Sequence, residues 1–390
     1  MEFSSLQELK TFLNEIDIFL HDKKIIPFRN FRNNGPLPLL DIEREIIIKI
    51  YNSYAGTNSD EANIEKSKNI KQISGKFFQL LQLLIPAENF THIFGKLVSL
   101  EWQEHHIKLG QKRYRDHILH LANVCWAGGR LIFGKKKKEF PFHYRIKSSL
   151  EALLESESKA FLKTNEDWDD FIKITWLITA IVHDFGYPYE LVGSKYYTET
   201  MNFENYLESH FNSSIPLFKK QVGKINSKLW KEPFTNNNKD RPHPIIVGLE
   251  LLHFLDRNKE KFKDDKKWFR DVYQLAALGI FEHHTKNRID FELNPFGYLL
   301  ALADTMHEWE RYINVAPYNH TPQFIAPIKK AILSKDKNKK NRFIIKYQIN
   351  DDIKKFPGHW NQDEFINGKK KELNRLKSKT PPLVFDIQYI

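Results

Sequence analysis

The sequence predicts a mainly α fold: a helical bundle with an N-terminal helical region and a small C-terminal α/β appendage. Three observations carry this expectation. Apolar residues recur at helical spacing through most of the chain up to about residue 315. Strand-like alternation is confined to the part after about residue 320. Breaks such as Asn33-Asn34-Gly35-Pro36 and Pro86 punctuate the periodic stretches as helix-ending signals.

The 390 residues suffice for one large domain or two or three smaller ones. A hydrophobic content of 41% with 30 Phe and 8 Trp excludes a disordered chain, which is normally poor in aromatics. Cys125 is the single cysteine, so no internal disulfide can form, and a reducing compartment is expected. The start Met1-Glu2-Phe3-Ser4-Ser5 lacks the basic and apolar regions of a secretory signal. The longest apolar run, near 171–182, is too short to span a membrane. A cytoplasmic protein without a membrane partner is the expectation. The net charge of +11 suggests an anionic partner: a nucleotide, a nucleic acid or an acidic surface. Much of the excess lies in Lys135–Lys138 and in segments 329–340 and 368–379, where solvated lysines explain it equally well. No zinc-finger spacing or aromatic ribonucleoprotein signature favours nucleic acid.

In chain order, residues 1–20 form an amphipathic helix with Leu6, Leu9, Phe12, Leu13 and Ile16 on one face. Its polar face is mixed rather than basic, so it packs on the body of the protein instead of a membrane. Helices follow at about 39–54, 69–85 and 88–100, completing an N-terminal region (1–100) without catalytic chemistry. The next helix, within 111–124, places Arg113, His117 and Leu121 on one face by i,i+4 spacing. A histidine on such a face is more often a satisfied core residue than a ligand. A helix at about 145–163 leads to Thr164-Asn-Glu-Asp167, a cap for the buried helix 168–182. That helix delivers His183-Asp184. Its β-branched residues would suit a strand, but its length favours a helix.

Residues from about 189 to 240 read as a polar, aromatic insertion, a lid or substrate wall. His243 then begins a helix, with Pro244 where the first turn tolerates proline. A helix over about 267–284 ends in His283-His284, and one over 295–311 places Asp304 and Glu308 on one face. These elements compose a central domain, 101–318. Arg342–Ile349 and Leu383–Ile390 alternate as strands around a helix at about 361–377, giving the C-terminal region 319–390.

His117, His183, Asp184, His243, His283, His284 and Asp304 are the candidate metal ligands. Imidazoles mixed with carboxylates suit divalent transition metals (Mn, Fe, Co, Ni or Zn), whereas Mg prefers oxygen. One carboxylate can give an oxygen to each of two ions, and Asp184 is the natural bridge. Two ions roughly 3.5–4 Å apart can orient a hydroxide and clamp a phosphoryl group. No Ser/His/Asp or Cys/His arrangement and no phosphate-cradling glycine loop competes.

This order of residues resembles the HD-domain superfamily of metal-dependent phosphohydrolases, in the expanded two-metal pattern also used by HD-GYP proteins and some phosphodiesterases. The resemblance covers roughly residues 105–315. It implies an HD-domain helical bundle in which one ion takes His117, His183, Asp184 and Asp304. The other would share Asp184 and take His243 and His283, with His284 as a further ligand or substrate contact. It further implies hydrolysis of a phosphate ester bond in a nucleotide. HD-GYP proteins have a lysine directly after the Gly of the His-Asp segment, where this chain has Tyr187. They also have Gly-Tyr-Pro after the paired histidines, where this chain has Thr285-Lys286-Asn287-Arg288, so cyclic di-GMP hydrolysis is not expected. Cyclic-nucleotide phosphodiesterases place a histidine acid one turn before the first ligand. Here that position is Arg113, a poor proton donor and a good phosphate clamp.

Arg113 and Lys286 join Asp184 as the expected catalytic groups, and Tyr187, Arg288 and Arg311 join Arg113 and Lys286 as substrate contacts. His120, one step off the His117 face, reads as a supporting or surface residue, and Glu308 with Arg311 as a helix salt pair. Two other functions fit the same sequence. One is a nuclease on single-stranded DNA or RNA, and the other is a nucleotide-responsive regulatory module.

Overall fold

In a computed structural model, the described residues are 2–3, 6–22, 61–86, 90, 94–98, 117–133, 140, 142–187, 243–258, 260, 267–283, 288–309, 311, 313–315, 324–339, 341–379 and 382–390. Arg113, His284, Lys286, the helix expected at 39–54, and the insertion at about 189–240 lie outside them. The described helices are α1 (Leu6–Asp22), α2 (Glu61–Leu84), α3 (His117–Phe133), α4 (Phe142–Leu153), α5 (Ser156–Lys159), α6 (Asn165–Val182), α7 (His243–Arg257), α8 (Lys267–His283), α9 (Pro295–Met306) and α10 (Gln362–Leu373). The strands are β1 (Glu2–Phe3), β2 (Ile289–Asp290), β3 (Ile313–Asn314), β4 (Phe324–Ile325), β5 (Ile328–Lys335), β6 (Arg342–Ile349), β7 (Leu376–Lys377) and β8 (Val384–Tyr389). The fold is mainly α, as the periodicity predicts. Among the described residues, no helix is long and apolar enough to cross a membrane.

The chain divides into two compact units. One comprises Met1–Ala127, Ala303–Asn374 and Pro381–Ile390, and the other Gly128–Leu302 and Arg375–Thr380. The N-terminal helices and the C-terminal sheet, separate regions on sequence grounds, therefore belong together. The two residues of β1 provide one link. Glu2 and Phe3 pair antiparallel with Ile332 and Ala331, placing β1 at the edge of a sheet ordered β1-β5-β6-β8. Phe3 is fully buried and stacks on Trp309 at 5.6 Å, with the edge of Trp126 also at 5.6 Å. Burying three aromatics in one cluster fixes the chain start more firmly than two strand residues could.

β5 and β6 run antiparallel, whereas β6 and β8 run parallel, so the chain between them must cross over. α10 makes that crossover, and its N-cap Asn361 accepts from the Glu364 amide. Phe343, Ile345 and Tyr347 of β6 bury alternate positions, and the Tyr347 hydroxyl donates to the Thr305 carbonyl at 2.8 Å. In the same unit, α1 buries Leu9, Leu13, Ile16 and Leu20 and packs with α2, which buries Ile73, Phe77, Leu80, Leu81 and Leu84.

The second unit is organised around α6. Thr164 and Asp167 form a reciprocal capping box at its start, as the sequence predicts. From Ile174 to Val182 every residue of α6 is buried. The hydroxyls of Thr175 and Thr179, which burial would otherwise penalise, donate to the carbonyls of Phe171 and Thr175 at 2.8 and 2.7 Å. Packing here needs small residues: a Cβ added to Gly128 would lie 2.0 Å from the Trp176 ring, and one on Gly248 would lie 2.6 Å from the Phe281 ring. α8 packs against both α6 and α7, so the ends of these three helices form one site.

Candidate metal centre

His183 is the C-cap of α6, and the turn that follows closes through Phe185 N to Val182 O at 3.0 Å and Tyr187 N to Asp184 O at 3.2 Å. This turn also seats the start of α7. A Cβ on Gly186 would lie 2.3 Å from the His243 carbonyl oxygen, so only glycine allows that approach. The Tyr187 ring stacks on the His243 imidazole, with centroids 4.0 Å apart and planes inclined by 22°. Tyr187, expected as a substrate contact, is buried against a candidate ligand. His283 supplies the fourth group from the last residue of α8.

His183, Asp184 and His243 are each 0% exposed and His283 is 3% exposed, so bulk water does not solvate the group. Three ring nitrogens converge on a single oxygen. Nε2 of His243, His283 and His183 lie 3.2, 3.4 and 3.6 Å from Oδ1 of Asp184. The tautomers of two rings follow from their other nitrogens. Nδ1 of His183 lies 2.8 Å from the Ala180 carbonyl, and Nδ1 of His283 lies 2.8 Å from the Ile280 carbonyl. A carbonyl only accepts, so each Nδ1 carries a proton, and Nε2 is the nitrogen that faces Asp184. Burial, opposed in part by Asp184, lowers the His283 pKa to about 4, and that ring is neutral at pH 7. The His283 Nε2 lone pair therefore faces a carboxylate oxygen at 3.4 Å. That arrangement repels unless a cation lies among the donors.

Asp184, His243 and His283 offer ligand atoms within 4.8 Å of one another, a spacing compatible with a metal ion. Two or three imidazoles with one carboxylate match Mn, Fe, Co, Ni or Zn, and the residues present fit such an ion. The carbonyl contacts at Nδ1 are the outer hydrogen bonds that aim metal-binding histidines.

The chain matches no protein-family model, and no curated protein or solved structure matches it significantly.

The first unit has a polar cluster of its own residues. His120 Nε2 lies 3.0 Å from Asp304 Oδ1, and its Nδ1 lies 2.7 Å from His307 Nδ1 and 3.1 Å from Arg311 Nη2. Arg311 reaches Asp304 at 3.5 Å and Glu308 at 3.1 Å; the expected Glu308–Arg311 pair forms, but outside a helix, because α9 ends at Met306. Lys369 of α10 reaches Glu308 at 2.6 Å. Burial, reinforced by His120 and Arg311, pushes the His307 pKa well down. Asp304 thus has His120 beside it. His117 is buried on α3 one turn earlier. Arg288 is exposed and pairs with Asp290 at 2.8 Å.

Sequence reasoning missed two residues beside the ligands. Asn294 caps α9 by accepting from the Gly297 amide at 2.9 Å. Its amide group donates to the Leu278 carbonyl at 3.0 Å and to Glu282 at 2.9 Å. An asparagine just before Pro295 was a legible cap signal. Glu282 is buried at 7% exposure, and burial raises its pKa to about 7. The raised value makes its contribution to stability full below the unfolded pKa near 4.5, and that contribution is lost as pH rises through 7. Glu282→Gln mimics the protonated acid. Its metal-free melting temperature should match that of the parent at pH 4 and exceed it at pH 8, as read by calorimetry.

Proposed function

We infer that the protein is a metal-dependent phosphohydrolase or phosphodiesterase acting on a nucleotide. The observation that carries this reading is the convergence of His183, His243 and His283 on one oxygen of buried Asp184. The order His117, His183-Asp184, His243, His283-His284, Asp304, with its likeness to the HD superfamily, and the net charge of +11 support it.

Bound there, a divalent transition metal supplies Lewis acidity toward a phosphoryl oxygen and lowers the pKa of water. The protein's own groups do the rest. Asp184 gives the carboxylate oxygens. Neutral imidazoles add donors without adding charge, and burial keeps competing water from weakening each interaction. Arg113, Lys286 and Arg288 are assigned to the substrate phosphate, where guanidinium groups grip two oxygens at once.

Protein supplied with manganese should hydrolyse bis-p-nitrophenyl phosphate, and Asp184→Ala should abolish the release of nitrophenol. Undiminished turnover in the variant would refute the assignment. Metal analysis of the purified protein counts the ions. The set implied by the superfamily gives two per chain, and Asp184, His243 and His283 alone give one.

A further inference from the structure

The last part of the chain carries a segment that belongs to the metal-centre unit, Arg375–Thr380. Its contacts run along the stretch that follows α8. A guanidinium nitrogen of Arg375 donates to the His283 carbonyl at 3.0 Å. The Ile289 amide donates to the Arg375 carbonyl at 3.0 Å, and the Phe291 amide to the Lys377 carbonyl at 2.8 Å, which pairs β2 with β7 in parallel. Ser378 is hydrogen-bonded by Arg145, and the Lys379 amide donates to Glu292 at 2.9 Å. Hydrogen bonds from three successive parts of the segment thus bind it to its neighbours in this unit.

We propose that Arg375 is a positioning residue for His283, holding the last turn of α8 by its carbonyl so that Nε2 keeps its direction onto Asp184. This rests on the metal-centre reading above. His283 ends α8, and a helix leaves its last carbonyls without intrahelical donors. A guanidinium donor satisfies one of them and places positive charge at the negative end of the helix dipole. The orientation of the His283 ring depends on the same turn, because its Nδ1–H donates to the Ile280 carbonyl within it. A loosened turn would swing Nε2 from its place 3.4 Å from Asp184.

The test is cobalt(II) binding to the metal-free full chain, followed by the visible absorption of the bound ion. Arg375→Met keeps the apolar stem and removes charge and donors. It should weaken cobalt binding about ten- to a hundredfold and alter the band. Arg375→Lys restores a cation and a donor, and should recover most of the affinity. Wild-type affinity and spectrum in Arg375→Met would overturn the proposal. Equal loss in both variants, with equally lowered metal-free melting temperatures, would also overturn it, because a folding role alone produces that result. If Arg375→Met does not fold, Arg375→Gln replaces it, with a several-fold loss expected and unchanged binding overturning the idea. A wild-type chain that binds no cobalt would refute the metal-centre reading itself, a result separable from all of these.

Discussion

Replacing Asp184 by Asn should abolish metal binding and, in the metal-free protein, raise the melting temperature. Both effects follow from one geometry. The Asp184 carboxylate is fully buried, and neutral His283 turns its Nε2 lone pair toward Oδ1. Taking a carboxylate out of water costs several kcal/mol, even after relaxation. Asparagine removes the charge, keeps the shape and offers an N–H to an imidazole lone pair. A gain on the order of 1–3 kcal/mol is expected, by analogy with buried charges exchanged for neutral groups. At about 2–4 °C per kcal/mol for a domain of this size, calorimetry with a chelator present resolves it. The order reverses with metal. An ion at a hundred times its dissociation constant stabilises the parent by about 2.7 kcal/mol and should leave Asp184→Asn unchanged. A metal-free variant less stable than the parent would make Asp184 a structural residue.

Gly186→Ala should disrupt the same centre from behind. The added methyl carbon would lie 2.3 Å from the His243 carbonyl oxygen and 2.7 Å from its Cα. Both are backbone atoms of the first residue of α7, so no side chain can rotate aside. Either the His183–Tyr187 turn or the start of α7 must move, at a cost of about 1–3 kcal/mol or more. Each movement separates Asp184 from His243, now 3.2 Å apart. Metal affinity should fall at least tenfold together with the melting temperature, as calorimetric titration would show. A variant with the parent's affinity would mean that the turn does not set the spacing.

The candidate ligands in the second unit were legible because each sits at a helix end with its own punctuation. Thr164 with Asp167 starts the helix that ends at His183, and Pro244 follows His243. The surroundings of Asp304 were less legible. α3 is buried on nearly every side, with both His117 and His120 inside, so apolar periodicity could not say which histidine meets Asp304. His307 escaped notice because the pattern suggests a helix continuing to Arg311, whereas α9 stops at Met306. Trp309 instead forms a bridge with Ile328. The lysines of 329–340 read as a solvated face, but Ile328, Ala331 and Leu333 bury the other side of β5. A two-residue strand such as β1 has no pattern to detect, and a side-chain donor to a backbone carbonyl, as in Arg375, leaves no trace in sequence.

The central claim is that the histidines face Asp184 across a metal ion. A cobalt-loaded crystal, with anomalous difference density measured at the cobalt edge, tests it most directly. The geometry predicts a peak about 2.0–2.2 Å from Nε2 of His243, Nε2 of His283 and a carboxylate oxygen of Asp184. Cobalt bound elsewhere, with no peak among these side chains, would contradict it.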